Sequence, residues 1–287
     1  MAPMLRWLPF LFLIACAEPE KTGKADKLDT CAPGGSSELL VLRSLSFPRE
    51  EAGVTVGFDL DNDVTMPGGL AGCGVADQVA PDGTPGIDNS FARLRPALDT
   101  TEASALDDIV HEAINSGGLL AMVQLDDVQD VYDDDCVDVS VTSALGAPMV
   151  GNDNMVLPAQ TFQVDPDAPV SRVEGASIVD GRLRDGPIDL DLPFVFLDAD
   201  VTFHLRNGQI LLERGENGLY SGVIGGGIAI QDLSDLAHNT GIDQTVEQLL
   251  DSILSFNADL NPDENGVCQD ISVTLEFEAV KAFFFEE

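Results

Sequence analysis

From residue 177 to residue 230, apolar and polar side chains alternate with period two, and turn-forming dipeptides interrupt the alternation, so this stretch can only be laid out as paired strands. Asp180-Gly181, Asn207-Gly208 and Asn217-Gly218 each suit a tight hairpin, because a type I′ turn needs positive φ at both central residues. If Asn207-Gly208 closes a two-residue loop, Leu205 faces Ile210 and Phe203 faces Leu212, while Thr202 and His204 lie on the wet side. Apolar residues hold even positions from Ile188 to Phe196 and odd positions from Val201 to Leu205. A bulge or a turn must therefore fall between about 194 and 200. Gly225-Gly226-Gly227 lies between apolar strand residues and lacks the Lys-Ser/Thr of a phosphate loop, which points to a bend or a close backbone approach.

The flanking sequence adds strands over Leu39–Phe47 and Val54–Leu60 and a closing strand from about Ile271 to Phe283. Val246, Leu249, Leu250, Ile253 and Leu254 follow helical spacing and make residues 243 to 255 the clearest helix. Two shorter helical patterns precede it. One is Phe91, Leu94 and Leu98, interrupted by Pro96. The other is Leu106, Ile109, Val110 and Ala113, with Ser104 and Asp107 as a capping pair and Gly117-Gly118 as its stop. The expected fold is α+β, mainly antiparallel β, a sandwich or curved sheet with two to three short helices packed on it. Residues 38–287 form one globular domain on this reading, with a sub-division near 147–169.

The formal charge is −36, from 50 acidic and 14 basic residues, yet 44% of residues are hydrophobic. That apolar content suits a folded chain, while such a surface repels phosphate backbones and argues against a nucleic-acid partner. Of the five cysteines, Cys31, Cys73, Cys136 and Cys268 lie in the body of the chain. An even four in an oxidising compartment predicts two disulfides, with three connectivities open. No two of them are close in sequence and there are only three histidines, so a zinc site is disfavoured.

The N-terminus carries Arg6 and then an uncharged apolar run from Trp7 to Ala15, the layout of a secretory signal. The run is about half of the roughly 20 residues a spanning helix requires. Its close, Leu13-Ile14-Ala15-Cys16, resembles the lipobox of bacterial lipoproteins. That resemblance implies removal of residues 1–15, acylation of Cys16 and attachment to a membrane through the lipid. Ala17 and Glu18 follow Cys16 where an Asp directly after the cysteine would imply retention in the inner membrane, so the resemblance implies the outer membrane of a Gram-negative bacterium. Residues 16–37, polar and rich in Gly, Pro and Lys, then serve as a flexible tether. With the lipobox, the Cys73-Gly-Val-Ala-Asp-Gln78 and Asp82-Gly-Thr-Pro-Gly-Ile-Asp88-Asn89 segments resemble acidic surface lipoproteins of myxobacterial type, a likeness that brings no activity with it.

Among groups that carry chemistry, the run from Asp259 to Asp270 stands first. Asp259, Asn261, Asp263 and Asn265 place oxygens on alternate residues, Gly266 allows a sharp turn and Asp270 adds a further acid, as a Ca2+ loop requires. The loop resembles the first half of an EF-hand, but Ser272 stands where the bidentate Glu would be. The same residues also suit a polar helix-to-strand turn pinned by a disulfide at Cys268. Asp59, Asp61 and Asp63 would share one face if their strand persists, which suits a solvated strand end or a cation. The acids between Asp126 and Asp138 read as a wet loop and strand face, and Asp82–Asn89 as a turn entering a helix at Asp88 or Asn89. There is no His-Glu-x-x-His and no Gly-x-Ser-x-Gly, so catalysis has no motif behind it. The expected function is a non-catalytic binding or structural module, calcium-stabilised. The alternatives are a carrier of lipid or another small apolar ligand, using a groove between amphipathic strands and helix, or a hydrolase with a noncanonical site. No protein partner is identified by the sequence.

Overall fold

The structure is a computed structural model that describes residues 31, 33–69, 72–98, 106–196, 199–239 and 244–285. The export segment, Cys16 and the tether as far as residue 30 lie outside the described residues. In chain order the strands are β1 (Ser36–Ser46), β2 (Gln78–Val79), β3 (Pro85–Ile87), β4 (Ala121–Val128), β5 (Asp134–Leu145), β6 (Gln160–Val164), β7 (Ser171–Val179), β8 (Arg182–Phe196), β9 (Ala199–Arg214), β10 (Leu219–Ala229), β11 (Leu260–Pro262) and β12 (Cys268–Phe284). The helices are α1 (Ser90–Leu98) and α2 (Leu106–Ser116), between β3 and β4, and α3 (Ile230–Asn239) and α4 (Gln244–Asn257), between β10 and β11.

One pairing decides the architecture. β12 lies antiparallel to β1 from Leu39↔Ala282 to Ser46↔Glu276, so the meander β1-β4-β5-β7-β8-β9-β10-β12 returns to its own first strand. The expected sandwich or curved sheet is therefore corrected to a closed eight-stranded antiparallel barrel, and the expected two to three helices to four. Alternation alone gives the same signature for an open sheet and a closed one, because what differs is a pairing between residues more than 200 positions apart. β6 joins β5 antiparallel and β12 parallel, so the segment around 147–169 belongs to the same sheet.

The register accounts for the core. Directly paired residues share a face, and one such row runs Leu183, Leu212, Gly222 and Phe277, another Ile210, Ile224 and Leu275. These rows are buried on the inside, where eight strands leave a lumen just wide enough for side chains to fill. Room is tight: a Cβ on Gly222 would lie 2.1 Å from the Phe277 ring. At one end Tyr220 donates its hydroxyl hydrogen bond to Glu38, the Arg214 guanidinium lies 5.8 Å from the centre of the Tyr220 ring, and only about 20 Å³ of space remains. α2 packs against β1 and β8 and adds Val110, Ala113 and Ile114 to the core, while α1 packs against β12 and α3 against α4.

The hairpin expectations resolve differently. Asp180-Gly181 closes β7–β8, with φ of 53° and 75°, and Asn217-Gly218, with φ of 69° and 73°, lies in the β9–β10 connection. Asn207-Gly208 is not a hairpin. Only Asn207 is left-handed, at φ 49°, so β9 runs straight through as a bulge, shifting its pairing with β8 and with β10. The reversal in side-chain parity near 194–200 is the β8–β9 turn, closed by Phe196↔Ala199, with residues 197 and 198 outside the described residues. Val54–Leu60 is not a strand: it holds only isolated bridges, Val54↔Val79 and Phe58↔Asp88.

Both disulfides expected of the four cysteines form, as Cys31–Cys136 and Cys73–Cys268. Cys31 is already buried, and Gly34 N–H donates to Asp127 Oδ1, so the folded part starts ahead of Glu38 and takes in the end of the expected tether. Among the described residues no helix is long and apolar enough to cross a membrane.

Candidate functional site

The long connection from β1 to β4 lies over the outside of β10 and β12, and glycines make this possible. A Cβ on Gly225 would stand 2.8 Å from the Phe58 ring, and one on Gly226 2.7 Å from Leu205 on the inner side. The glycine triplet thus serves close approach on both faces, with Phe58, 2% exposed, seated on the outer one. Asn89, buried, fixes the end of the connection. Its Nδ2 donates to Thr55 Oγ1 and to the Val56 carbonyl, and its Oδ1 accepts from Ala92 N–H as the cap of α1.

Next to that cap the chain gathers acids. Asp88 N–H donates to the Phe58 carbonyl, while Asp88 Oδ2 accepts from Leu60 N–H at 2.7 Å and Asp61 N–H at 3.3 Å. The 59–63 loop is thereby wrapped around the Asp88 side chain. One oxygen from each of Asp59, Asp61 and Asp88 lies within 4.8 Å of the others, and among the described residues this is the one group of three or more His, Cys, Asp or Glu side chains placed to hold a metal. Asp63 does not join it, because the expected strand does not persist and the Asp63 carboxylate turns to its neighbour Val64 N–H. Asp88 takes its place from the segment Asp82–Asn89. The two acidic segments singled out separately in the sequence form one site.

Electrostatics there are unfavourable to the free protein. Burial, with Asp61, Asp259 and Asp77 nearby, pushes the Asp88 carboxyl up to about 8. Burial also raises Asp59 and Asp77, the neighbouring carboxylates adding to the effect. Asp59 Oδ1 is buried with no hydrogen-bond partner, and among the described residues no Lys or Arg forms an ion pair with Asp59, Asp61 or Asp88. Buried, unanswered carboxylate oxygens carry a high cost unless a cation or a proton meets them.

The five residues of the expected calcium loop are divided among three tasks. Asp259, 5% exposed, accepts from Ser90 Oγ at 2.7 Å, Ser272 N–H at 2.8 Å and Ser272 Oγ at 2.5 Å, tying α1 to β12. Burial raises its carboxyl to about 6 against the pull of those hydroxyls. Asp263 and Asn265 make the β11–β12 turn: Asp263 Oδ1 accepts from Asn265 N–H and Val267 N–H, which holds its carboxyl low. Asp270 is buried beside Gly227 and hydrogen-bonds the Asn261 side chain. Cys268, bonded to Cys73, pins the turn.

Asn261 and Asp270 instead line a cleft of about 630 Å³ that Asp61 and Asn62 border from the acid site. Its remaining walls come from the bulged parts of β8 (Arg184 to Pro187) and β9 (Arg206 to Gln209). Three left-handed residues, Asn62, Asn207 and Asn261, with φ of 61°, 49° and 55°, border this one cleft. Backbone irregularities concentrate where a fold builds a site, and Asn is the residue that accepts them most readily after Gly. Arg184 is fixed in its wall, 5.3 Å from the Phe58 ring centre and donating from Nη2 to Gln209 Oε1 at 3.3 Å. Gln209 Nε2 in turn donates to the Asp59 carbonyl, joining cleft and acid site. Sequence patterning missed this cleft, since its residues come from six segments and Asn207 resembled a hairpin turn.

The histidines lie elsewhere. His204 Nδ1 is 2.6 Å from Asp191 Oδ1, and His111 Nε2 is shared by the side-chain amides of Asn115 and Asn154. Compared with known proteins, the chain matches no family model, no curated protein and no solved structure.

Proposed function

We propose that the chain is an extracytoplasmic binding module, held to a membrane by lipid on Cys16 and braced by a divalent cation at Asp59, Asp61 and Asp88, without catalytic activity. The observation that carries this reading is the convergence of three carboxylates on a place where Asp59 Oδ1 is buried and unanswered. Calcium takes six to eight oxygens, several from carboxylates, and would offset the burial, and with it the neighbouring negative charge, that raises Asp88 and Asp59. A brace there would tie the β1–β4 connection down beside the cleft. Two disulfides suit the oxidising compartment that the lipobox resemblance implies, with the outer membrane as the destination.

Among the alternatives, an apolar-ligand carrier using a groove between amphipathic strands and helix gains no support from the barrel interior, where about 20 Å³ remains at one end. The cleft borders hold no Ser, Cys or His to serve as nucleophile and base, so a hydrolase of the Ser or Cys type lacks its usual pair.

Thermal unfolding of the full-length, detergent-purified protein tests the brace. A ligand at 100 times its Kd stabilises by about 2.7 kcal/mol, and each kcal/mol moves Tm by about 2–4 °C in a domain of this size. Calcium is expected to raise Tm above its value in chelator by that order, and Asp88→Asn to abolish the rise. A Tm indifferent to calcium, or a rise that persists in Asp88→Asn, would reject the site.

A further inference from the structure

We infer that the cleft between the 59–63 loop, the bulges of β8 and β9, and β11 binds a neutral saccharide, an inference that rests on the binding-module reading and names its ligand class. The lining disfavours three other classes. An anionic ligand would meet Asp61, Asp185 and Asp270 on a chain of net charge −36. An apolar ligand would find only Leu60, Leu260 and Pro187 among polar walls. An extended peptide gains affinity by adding to a sheet edge, and of the strands lining this cleft, among the described residues, only β11, three residues long, has a partner on one side alone.

What the cleft does offer is hydrogen-bond donors and acceptors interleaved at short range. Arg184 and Arg206 supply fixed-plane donors, the carboxylates supply acceptors, and the side-chain amides of Asn62, Asn207 and Asn261 supply both. Vicinal hydroxyls of a sugar are each donor and acceptor, and are met by this kind of mixed wall. The groups are also held in place. Arg184 is pinned over Phe58 and to Gln209, and the Asn261 side chain is hydrogen-bonded to Asp270. Arg206, 53% exposed and 3.9 Å from Asp232, projects at the rim. A volume of about 630 Å³ falls within the range of small-molecule sites.

An array carrying neutral oligosaccharides (glucans, galactans, N-acetylglucosamine oligomers) and acidic ones (uronic and sulfated), probed with the full-length protein in calcium, tests this. Titration calorimetry of the best ligand follows, against Asn207→Gly, which keeps the left-handed backbone and removes the amide, Arg206→Ala at the rim, and Arg182→Ala outside the cleft. We expect retention of neutral oligosaccharides, with affinity about tenfold lower in each cleft variant and unchanged in Arg182→Ala, the loss of one hydrogen bond to a charged or amide group being of that order. Retention of acidic oligosaccharides alone, weakened in the cleft variants, would overturn the neutral-saccharide inference and leave the binding module standing. Neutral binding that neither cleft variant weakens would overturn the assignment to this cleft. No retained oligosaccharide, with the calcium response of Tm intact, would overturn the saccharide inference and leave only the cation brace.

Discussion

Asp259 sits in a buried cage of two serines, and its protonation feeds directly into stability. Its carboxyl rises from 3.8 to about 6 on folding, with burial outweighing the three hydrogen bonds it accepts. Between those two values the folded chain keeps a proton that the unfolded chain has released, so stability falls as pH rises through this window. The upper limit of that fall is roughly 3 kcal/mol, at about 1.36 kcal/mol for each pH unit the window spans. Denaturant melts in chelator at pH 4, 5 and 6 check this when wild type is compared with Asp259→Asn, which cannot titrate. The decline should be shallower in the variant. Parallel declines in the two proteins would mean that Asp259 is ionised at its usual pH despite its burial. Residue identity alone did not give this role away: Asp259 opens a run of alternating oxygens, and nothing local says that its carboxylate turns away from that run towards Ser90, 169 positions earlier in the chain.

At the scale of elements, α1, α2 and α4 and the strands β1, β8, β10 and β12 were legible, while α3, the strands from β2 to β6 and the pairing partners were not. α4 spans Gln244–Asn257 where helical spacing placed residues 243 to 255, and β12 spans Cys268–Phe284 around the expected Ile271–Phe283, because each carries its own period. Asn207-Gly208 misled because its turn chemistry is equally that of a bulge, and the choice was made by pairing with β8 and β10. Val54–Leu60 alternates like a strand but lies over the barrel, where β10 and β12 already have their partners on both sides. The alternating acids Asp59, Asp61 and Asp63 were legible as a pattern, but the grouping of Asp59 and Asp61 with Asp88 was not, since Asp61 and Asp88 stand 27 positions apart and meet only when the chain folds back. Cys73–Cys268 fastens this folded-back connection to the β11–β12 turn across 195 positions. Replacing both cysteines with serine should cost about 2–4 kcal/mol by chemical denaturation, through release of the unfolded chain. An unchanged denaturation midpoint would show that packing of Phe58 and Asn89 holds the connection without the bridge.

As a whole molecule, the chain is a solid barrel with its polar work on the outside. Closure through β1 and β12 pairs each of the eight barrel strands on both sides, and the filled interior leaves about 20 Å³ at one end, while the cleft of about 630 Å³ lies outside it against β8, β9 and β12. There the excess of acid is gathered: a surface of net charge −36 repels anions, and three of its carboxylates, Asp59, Asp61 and Asp88, bring one oxygen each within 4.8 Å of the others, the group on which the proposed cation brace rests. The most direct test of that central claim is anomalous diffraction from crystals of the protein grown in calcium. The account predicts a calcium peak between Asp59, Asp61 and Asp88, with carboxylate oxygens about 2.3–2.6 Å from it. A peak at the Asp263–Asn265 turn with none at Asp88, or no calcium peak on the molecule, would contradict it.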